Sequence, residues 1–435
     1  MAHSTDAFGL SRRQLLSIGG GITAAGALTA CGSNTGRADS SASASGGATS
    51  GEKVTLSQWY HQYGEEGTQQ AVEKYAAAYT KATVKVEWKP GDYDKTTAAS
   101  LLTDTGPDVF EYGNGPTIDM IKGKQVVDMT DALGDAKSDF NEQIIKRYTF
   151  DGKVWAIPQL IDCILLVYRK SMLDAAGIKP PTTLDELVAA ARALTKGDVK
   201  GLYLGNDGGA GLVGGNLLWG AGFEFLKEDG SFGFDDPTAG AALKTLNTLW
   251  TEKVTQMSQD PKDWWAADGF IAGQCAMAMT GLWTFPDIIK GLKDDFGVIP
   301  WPAGDGGKAT VTMGAYGSCV SARSKNVDAA KEFAKWLWVD QTDSQVDFAT
   351  AYGYHIPARK SLIGKAKTLQ DGPGKDAADA AFAHGHAQTM MLWTPKCQTA
   401  FSDGMTRIVK EGADPMKEIA TMKPVIEADV KRVLG

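Results

Sequence analysis

The chain has 435 residues, with 44 Lys and Arg against 52 Asp and Glu, for a formal net charge of −8. That balance argues against nucleic acid or anionic lipid as a partner, because both reward clustered basic side chains. With 43% hydrophobic residues and 12 Trp, 12 Tyr and 15 Phe, the chain has enough apolar surface to fill two lobes of ordinary size, which excludes a disordered body. Aromatic residues without a basic stripe suit uncharged ligands with flat apolar faces, and sugars are the commonest of these outside a cell.

At the N-terminus, Arg12 and Arg13 lie between Ser11 and the pair Leu15-Leu16, ahead of a Gly/Ala-rich run too short to span a bilayer. The run ends in Leu28-Thr29-Ala30-Cys31. The paired arginines resemble a twin-arginine export signal, and Leu-Thr-Ala-Cys resembles a bacterial lipobox. The two together imply a signal peptide over 1–30 and a lipid on Cys31 that holds the mature protein to the outer face of the membrane. Residues 32–51 contain no aromatic residue and no aliphatic residue larger than Ala, so 31–51 is expected to be a flexible tether.

The body is expected to begin near residue 52. VTLSQWY (54–60) is strand-like, 67–82 carries Val72, Tyr75, Ala76 and Tyr79 at helical spacing, and TVKVEW (83–88) alternates again. A strand, helix, strand unit of this kind favours a parallel sheet with helices on its faces. GPDVFEYGNGP (106–116) reads as a buried strand leading into a helix over 117–123. Ligands of open α/β sheets gather at the carboxyl ends of strands, which brings forward Glu111, Tyr112 and Asn114. Further on, 164–168 reads as a strand and 170–176 as a helix stopped by Gly177. PPTTLDELVAAARAL (180–194) reads as a helix capped by Thr182 or Thr183, with Asp185 and Glu186 in its first turn. Helices are also expected over 237–250 and 326–338, the second with Ala330, Phe333, Ala334 and Leu337 on one stripe. Cys163, Cys275, Cys319 and Cys397 are far apart and lack zinc spacing, which leaves either one or two disulfides or buried thiols. No metal and no cofactor is expected.

GFIAGQCAMAMTGLW (269–283) resembles the helix end, aliphatic-Met strand and Gly-x-Trp phrase of extracellular solute-binding proteins of sugar ABC importers. Gly106-Pro107-Asp108-Val109 with VVDMTDAL, GKVWAIP running into VYRKSML, PPTTLDEL and AAKEFAKWLW match the same family in the same order. The resemblance covers residues 54–433. It implies two α/β lobes joined by crossing strands near 158–163, 316–320 and 361–367, with 52–160 and 319–365 in lobe 1 and 161–318 and 366–435 in lobe 2. It also implies a monomer that closes on a di- or oligosaccharide, hands it to a membrane permease and performs no chemistry on it.

A pyranose needs an aromatic ring for its C–H face and paired donors and acceptors for its hydroxyl rim. By resemblance, Trp283 is the family's stacking Trp and Asp162 its acidic sugar ligand at the hinge. Asp162 also sits in an apolar run, where a carboxylate calls for a partner. Trp59, Tyr60 and His61 end the first strand and are expected to face the cleft, unless Trp59 packs in the lobe core. Tyr112 and Asn114 fall where the family places sugar contacts, although Gly115-Pro116 replaces a charged pair found there. Asn206 and Asp207, with Gly208, Gly209 and GLVGG behind them, are read as a flexible cleft loop, since no Gly-Lys-Ser/Thr follows to make a phosphate cradle. Tyr316, Trp393, Lys396, Trp264 and Trp265 complete the candidates. Two other readings stay open, the same fold for a peptide, polyamine or metal and a secreted glycosidase with two opposed carboxyl groups.

Overall fold

A computed structural model of the protein describes residues 53–205, 207–256 and 267–435, and the side chains of Asp207 and Gly208 are not among what it describes. The expectations for the signal, Cys31, the tether, Asn206, Trp264 and Trp265 therefore lie outside the described residues. So does the side-chain role of Asp207.

Strand Thr55–His61, helix Thr68–Ala78 and strand Thr83–Lys89 form the expected unit. The two strands pair in parallel from Thr55 with Thr83 to His61 with Lys89, and the helix buries Val72, Tyr75 and Ala76. Strand Val109–Gly113 joins the other side of Thr55–His61, again in parallel. Strand Tyr316–Val320 runs antiparallel to it, and Ile157–Pro158 closes a five-stranded sheet.

A second sheet is ordered Gly385–Ala387, Val311–Gly314, Leu160–Arg169, Cys275–Gly281, Lys200–Tyr203, Thr255–Gln256. Leu160–Arg169 is its centre. The sequence LIDCILLVYR is buried over most of its length, as a strand covered on both faces must be. Phe296–Ile299 and Ile356–Pro357 also pair with it.

Two crossings between the sheets are very short. Gln159 alone separates Ile157–Pro158 from Leu160–Arg169, and Ala315 alone separates Val311–Gly314 from Tyr316–Val320. The Tyr148 hydroxyl donates to the Ala315 carbonyl at 2.8 Å and pins the second crossing. Tyr316, Gly317 and Ser318 pair with Gly113, Tyr112 and Glu111, so the chain returns to the first sheet at 316 and not at 319. A third passage follows Lys360–Lys365, where Ser361 bonds to Asp139, and precedes Lys367–Leu369, which packs on helix Gly372–His384. Of the two buried cores, one centres on Phe110, Tyr148, Phe333 and Trp338, and the other on Phe234, Leu243, Phe401 and Met405.

The glycine-rich stretch after Asn206 is a helix, Asp207–Gly220, and not the flexible loop expected. Its glycines serve close packing. A Cβ on Gly209 would stand 1.7 Å from the Leu204 carbonyl oxygen, and one on Gly214 2.6 Å from the Met405 sulfur on helix Pro395–Thr406. The small surface lets two helices approach, with no amphipathic periodicity in the sequence to announce it. Cys163, Cys275, Cys319 and Cys397 are buried free thiols, which settles the pairing question in favour of core packing.

Helix Leu184–Leu194 begins with a capping box, in which Glu186 N donates to the Thr183 hydroxyl at 3.2 Å and Thr183 N donates to the Glu186 carboxylate at 3.2 Å. Such a cap supplies two otherwise unmet donors. Thr183→Ala is expected to lower unfolding stability by about 1 kcal/mol. Urea titration reads this directly, and an unchanged midpoint would show that tertiary packing alone holds the helix end.

Candidate ligand site between the two sheets

Parallel pairing puts the carboxyl ends of Thr55–His61 and Val109–Gly113 on the same side, so His61 and Asn114 come together. Tyr316 pairs with Gly113 and therefore starts the return strand at that same end. Asp162 pairs with Gly314, immediately before the crossing. Sheet register alone thus gathers His61, Asn114, Asp162 and Tyr316 where the two sheets meet.

The His61 imidazole stacks on the Tyr316 ring, with centroids 4.4 Å apart and planes 13° off parallel, and lies 3.8 Å from the Tyr63 ring. Its Nδ1 is 2.5 Å from Glu111 Oε1, and its backbone N–H donates to the same oxygen at 2.8 Å. The Tyr63 hydroxyl donates to Glu111 Oε2 at 2.8 Å. Glu111 is 1% exposed, so it acts as a buried acceptor beneath the ring pair. Burial opposes a charge on His61, but Glu111 outweighs it and raises the imidazole pKa.

His355 forms the second polar centre. It is 3% exposed, with Nδ1 2.5 Å from Asp162 Oδ1 and Nε2 3.0 Å from Glu65 Oε1. A neutral imidazole has one donor, so a ring facing two carboxylates carries both protons. Burial would lower its pKa, but Asp162 and Glu65 raise it to about 10. Burial would likewise raise the Glu65 carboxyl, and the His355 contact brings it below its ordinary value.

Asp94, in the first turn of helix Tyr93–Ser100, faces Gly113. Burial pushes its carboxyl up to about 6, with His61 pulling it back and Glu111 and Asp92 adding to the rise. Asn114 sits at φ 58°, in the left-handed region that Asn tolerates, and its amide donates to Gln388 Oε1 at 3.2 Å. Gln388 follows the edge strand of the second sheet, so Asn114 bridges the lobes. Arg147 and Gln143 reach the same segment. Arg147 Nε donates to the Thr389 hydroxyl at 3.0 Å, and Gln143 bonds to Gly385 O at 2.9 Å and Ala387 N at 3.0 Å.

Trp283 is half-buried just beyond Cys275–Gly281, whose last residue pairs with Ile164, two positions from Asp162. Its ring folds back over Gly281, where a Cβ would stand 1.9 Å from it, so this placement requires glycine. Four of the expected contacts are buried side chains. Tyr60 is 0% exposed and accepts from the Gln58 amide, Trp59 is buried with Lys89 Nζ 3.8 Å over its ring, and Tyr112 is buried against Phe110. Trp393 is 4% exposed, stacks on Phe225 at 4.5 Å and donates to Gln398. Strand alternation keeps Trp59, Tyr60 and His61 from sharing one face, and the large rings fill the cores. Lys396 is exposed 3.9 Å from Asp429, in a groove between the two C-terminal helices and away from the meeting of the sheets. Glu65, Asp94, His355 and Gln388 carry no local sequence signal. Only the three-dimensional path of the chain brings them in.

Two α/β lobes joined by crossing strands, with an aromatic and polar cluster where the sheets meet, define a two-lobe ligand-binding protein. The chain belongs to the family of bacterial extracellular solute-binding proteins, whose model matches residues 62–341. It is 33% identical to the diacetylchitobiose binding protein DasA of Streptomyces coelicolor over 324 residues, 70% of this chain and 71% of that one. It is 26% identical to a lactose-binding protein of Rhizobium radiobacter over 321 residues, 69% of this chain and 74% of that one. In fold it resembles the GacH receptor of Streptomyces glaucescens, solved without ligand and with acarbose. The TM-score is 0.76 at 23% identity, covering 88% of this chain and 99% of that one.

Because His355 has a raised pKa in the folded state, its contribution to stability is complete below its unfolded value of 6.5 and is lost as pH rises through about 10. His355→Gln is therefore expected to destabilise the protein near neutrality, with the gap to wild type closing at alkaline pH. Urea unfolding at several pH values tests this, and a gap independent of pH would contradict a protonated His355.

Proposed function

We propose that the protein is the extracytoplasmic sugar-binding component of an ABC importer, anchored by a lipid on Cys31. In this reading it captures a di- or oligosaccharide between its lobes and presents it to a membrane permease. The observation that carries it is the stacked His61–Tyr316 pair at the strand ends, which sheet register brings to the crossings with Asp162 and Asn114. A ring face beside hydrogen-bonding side chains is what a pyranose requires. Membership of the family and the sugars named for the two curated relatives point the same way.

Closure is a rotation of lobe 52–158 with 316–365 against lobe 160–314 with 366–435, about the short connections at Gln159, Ala315 and 366. The ligand stabilises the closed state by touching both lobes. Trp283 supplies a stacking face from the second lobe, and Asp162, held by His355, accepts from sugar hydroxyls. The protein works as a monomer and leaves the sugar chemically unchanged. Export through the twin-arginine route delivers it folded to the outer face of the membrane. No helix among the described residues is long and apolar enough to cross a membrane.

Thermal unfolding in the presence of diacetylchitobiose, lactose and maltose tests the ligand class. A ligand at a hundred times its dissociation constant adds about 2.7 kcal/mol to the folded state. Trp283→Ala is expected to weaken binding of the best sugar by about 2 kcal/mol, with a much smaller loss of stability in the free protein. Preserved affinity with a loss of about 3 to 5 kcal/mol in folding would instead make Trp283 a core residue. Cys31→Ala is expected to leave the membrane fraction or remain as precursor. Processing and membrane association like wild type would contradict the lipid anchor.

A further inference from the structure

We infer that the end of the C-terminal helix is a latch between the lobes, in which Arg432 grips Asp119 and holds the lobes together. The inference takes the lobes as proposed above, and its consequence for affinity rests on the sugar-binding reading.

Two ion pairs among the described residues join the lobes. One is His355 with Asp162 at the crossings, and the other is Arg432 with Asp119. The second is carried by helix Pro415–Leu434, whose 20 residues span about 30 Å. The helix belongs to the second lobe, since it packs on helices Pro237–Thr251 and Pro395–Thr406. Its first turn lies against Gly240, where a Cβ would stand 2.6 Å from the Met416 sulfur, and its last turn reaches the first lobe. There the Arg432 guanidinium donates to both carboxylate oxygens of Asp119, at 2.7 and 3.0 Å. Asp119 is in the first turn of helix Ile118–Lys122, which follows Asn114 and the carboxyl end of strand Val109–Gly113. The crevice outside such strand ends is where open sheets take their ligands, so the pair ties the first lobe's edge of the cleft to the second lobe.

Arg432 is held ready for this contact. Its Nε donates to Asp429 Oδ1 at 2.8 Å and its Nη2 to Asp429 Oδ2 at 3.2 Å. Asp429 is 2% exposed and is fixed in turn by the Thr394 hydroxyl at 2.6 Å. An exposed ion pair adds little to folding, partly because two long side chains must be ordered to make it. Here Asp429 orders the guanidinium beforehand, and Asp119 docks on a planar fork already in place. The two arrangements of a hinged protein lie close in free energy, so an interaction of small size moves the balance between them. The pair forms only while the lobes are together, which makes its loss favour the open arrangement.

Small-angle X-ray scattering of the full chain without ligand tests the latch. Calorimetric titration with whichever of diacetylchitobiose, lactose or maltose gives the largest thermal shift tests its effect on binding. Asp119→Lys sets two cations against each other and is expected to enlarge the radius of gyration and to weaken sugar binding about threefold or more. Asp119→Glu keeps the charge and is expected to stay near wild type in both measurements. High salt is expected to weaken binding of the uncharged sugar by wild type and to leave Asp119→Asn unmoved, because screening reaches an exposed pair and not the buried His355 contact. Asp119→Asn replaces Asp119→Lys in both measurements if the Lys variant fails to unfold cooperatively in urea. An unchanged radius of gyration overturns the inference. So does an unchanged affinity for a sugar that wild type binds, or a salt effect that survives Asp119→Asn, and both leave the sugar-binding reading standing. An enlarged radius with no sugar bound by wild type keeps the latch and overturns that reading.

Discussion

The cleft depends on one buried contact, the His355 imidazolium held between Asp162 and Glu65. Glu65 comes from the loop after the first strand, Asp162 from the central strand of the second sheet, and His355 from the segment entering Ile356–Pro357. Three distant stretches of chain are thereby fixed at the place where one sheet gives way to the other. Any one of these groups alone would be an unpaired buried charge, costing several kcal/mol. Together they leave one surplus negative charge. The nearby His61–Glu111 pair repeats the arrangement at the end of the first sheet.

Around that contact, the geometry follows from how little chain joins the lobes. A single residue at each of the first two crossings makes the sheets abut, so a strand end in one lobe faces a strand in the other. Gly317 makes this possible, since a Cβ there would stand 2.8 Å from both Ala156 and Tyr148. Tyr148 occupies the space under the crossing and ties down Ala315. Gln143, Arg147 and Asn114 then hold the 385–389 segment of the second lobe against the first. Arg147 is buried there, and burial brings its pKa down to about 10.

Much of the fold is legible in local pattern. The first strand, helix, strand unit, the Thr183 cap, the helix from Pro237 and the buried stripe of Ala330, Phe333, Ala334 and Leu337 all follow from spacing and capping chemistry. The helix Asp207–Gly220 was not legible, because its glycines read as a loop until the packing of Met405 and Leu204 is known. His61, Asn114, Asp162 and Tyr316 come to the meeting of the sheets by strand ends and register, which local pattern can point to. Trp59 packs in the core, as its alternative reading allowed, and Tyr60, Tyr112 and Trp393 are buried too, because an aromatic ring near a strand end or in a helical approach serves a core as readily as a cleft. Asp94 and His355 depend on contacts between residues far apart in sequence, which no local pattern encodes.

The central claim is that ligand binds at the meeting of the two sheets. A crystal structure of the protein with the sugar that gives the largest thermal shift tests it most directly. The account predicts a ring packed beside Tyr316, with hydroxyls within hydrogen-bonding distance of Asp162 and Asn114. A sugar lodged elsewhere, such as in the groove beside Lys396 and Met422, with the Tyr316 and Asp162 side chains untouched, would contradict it.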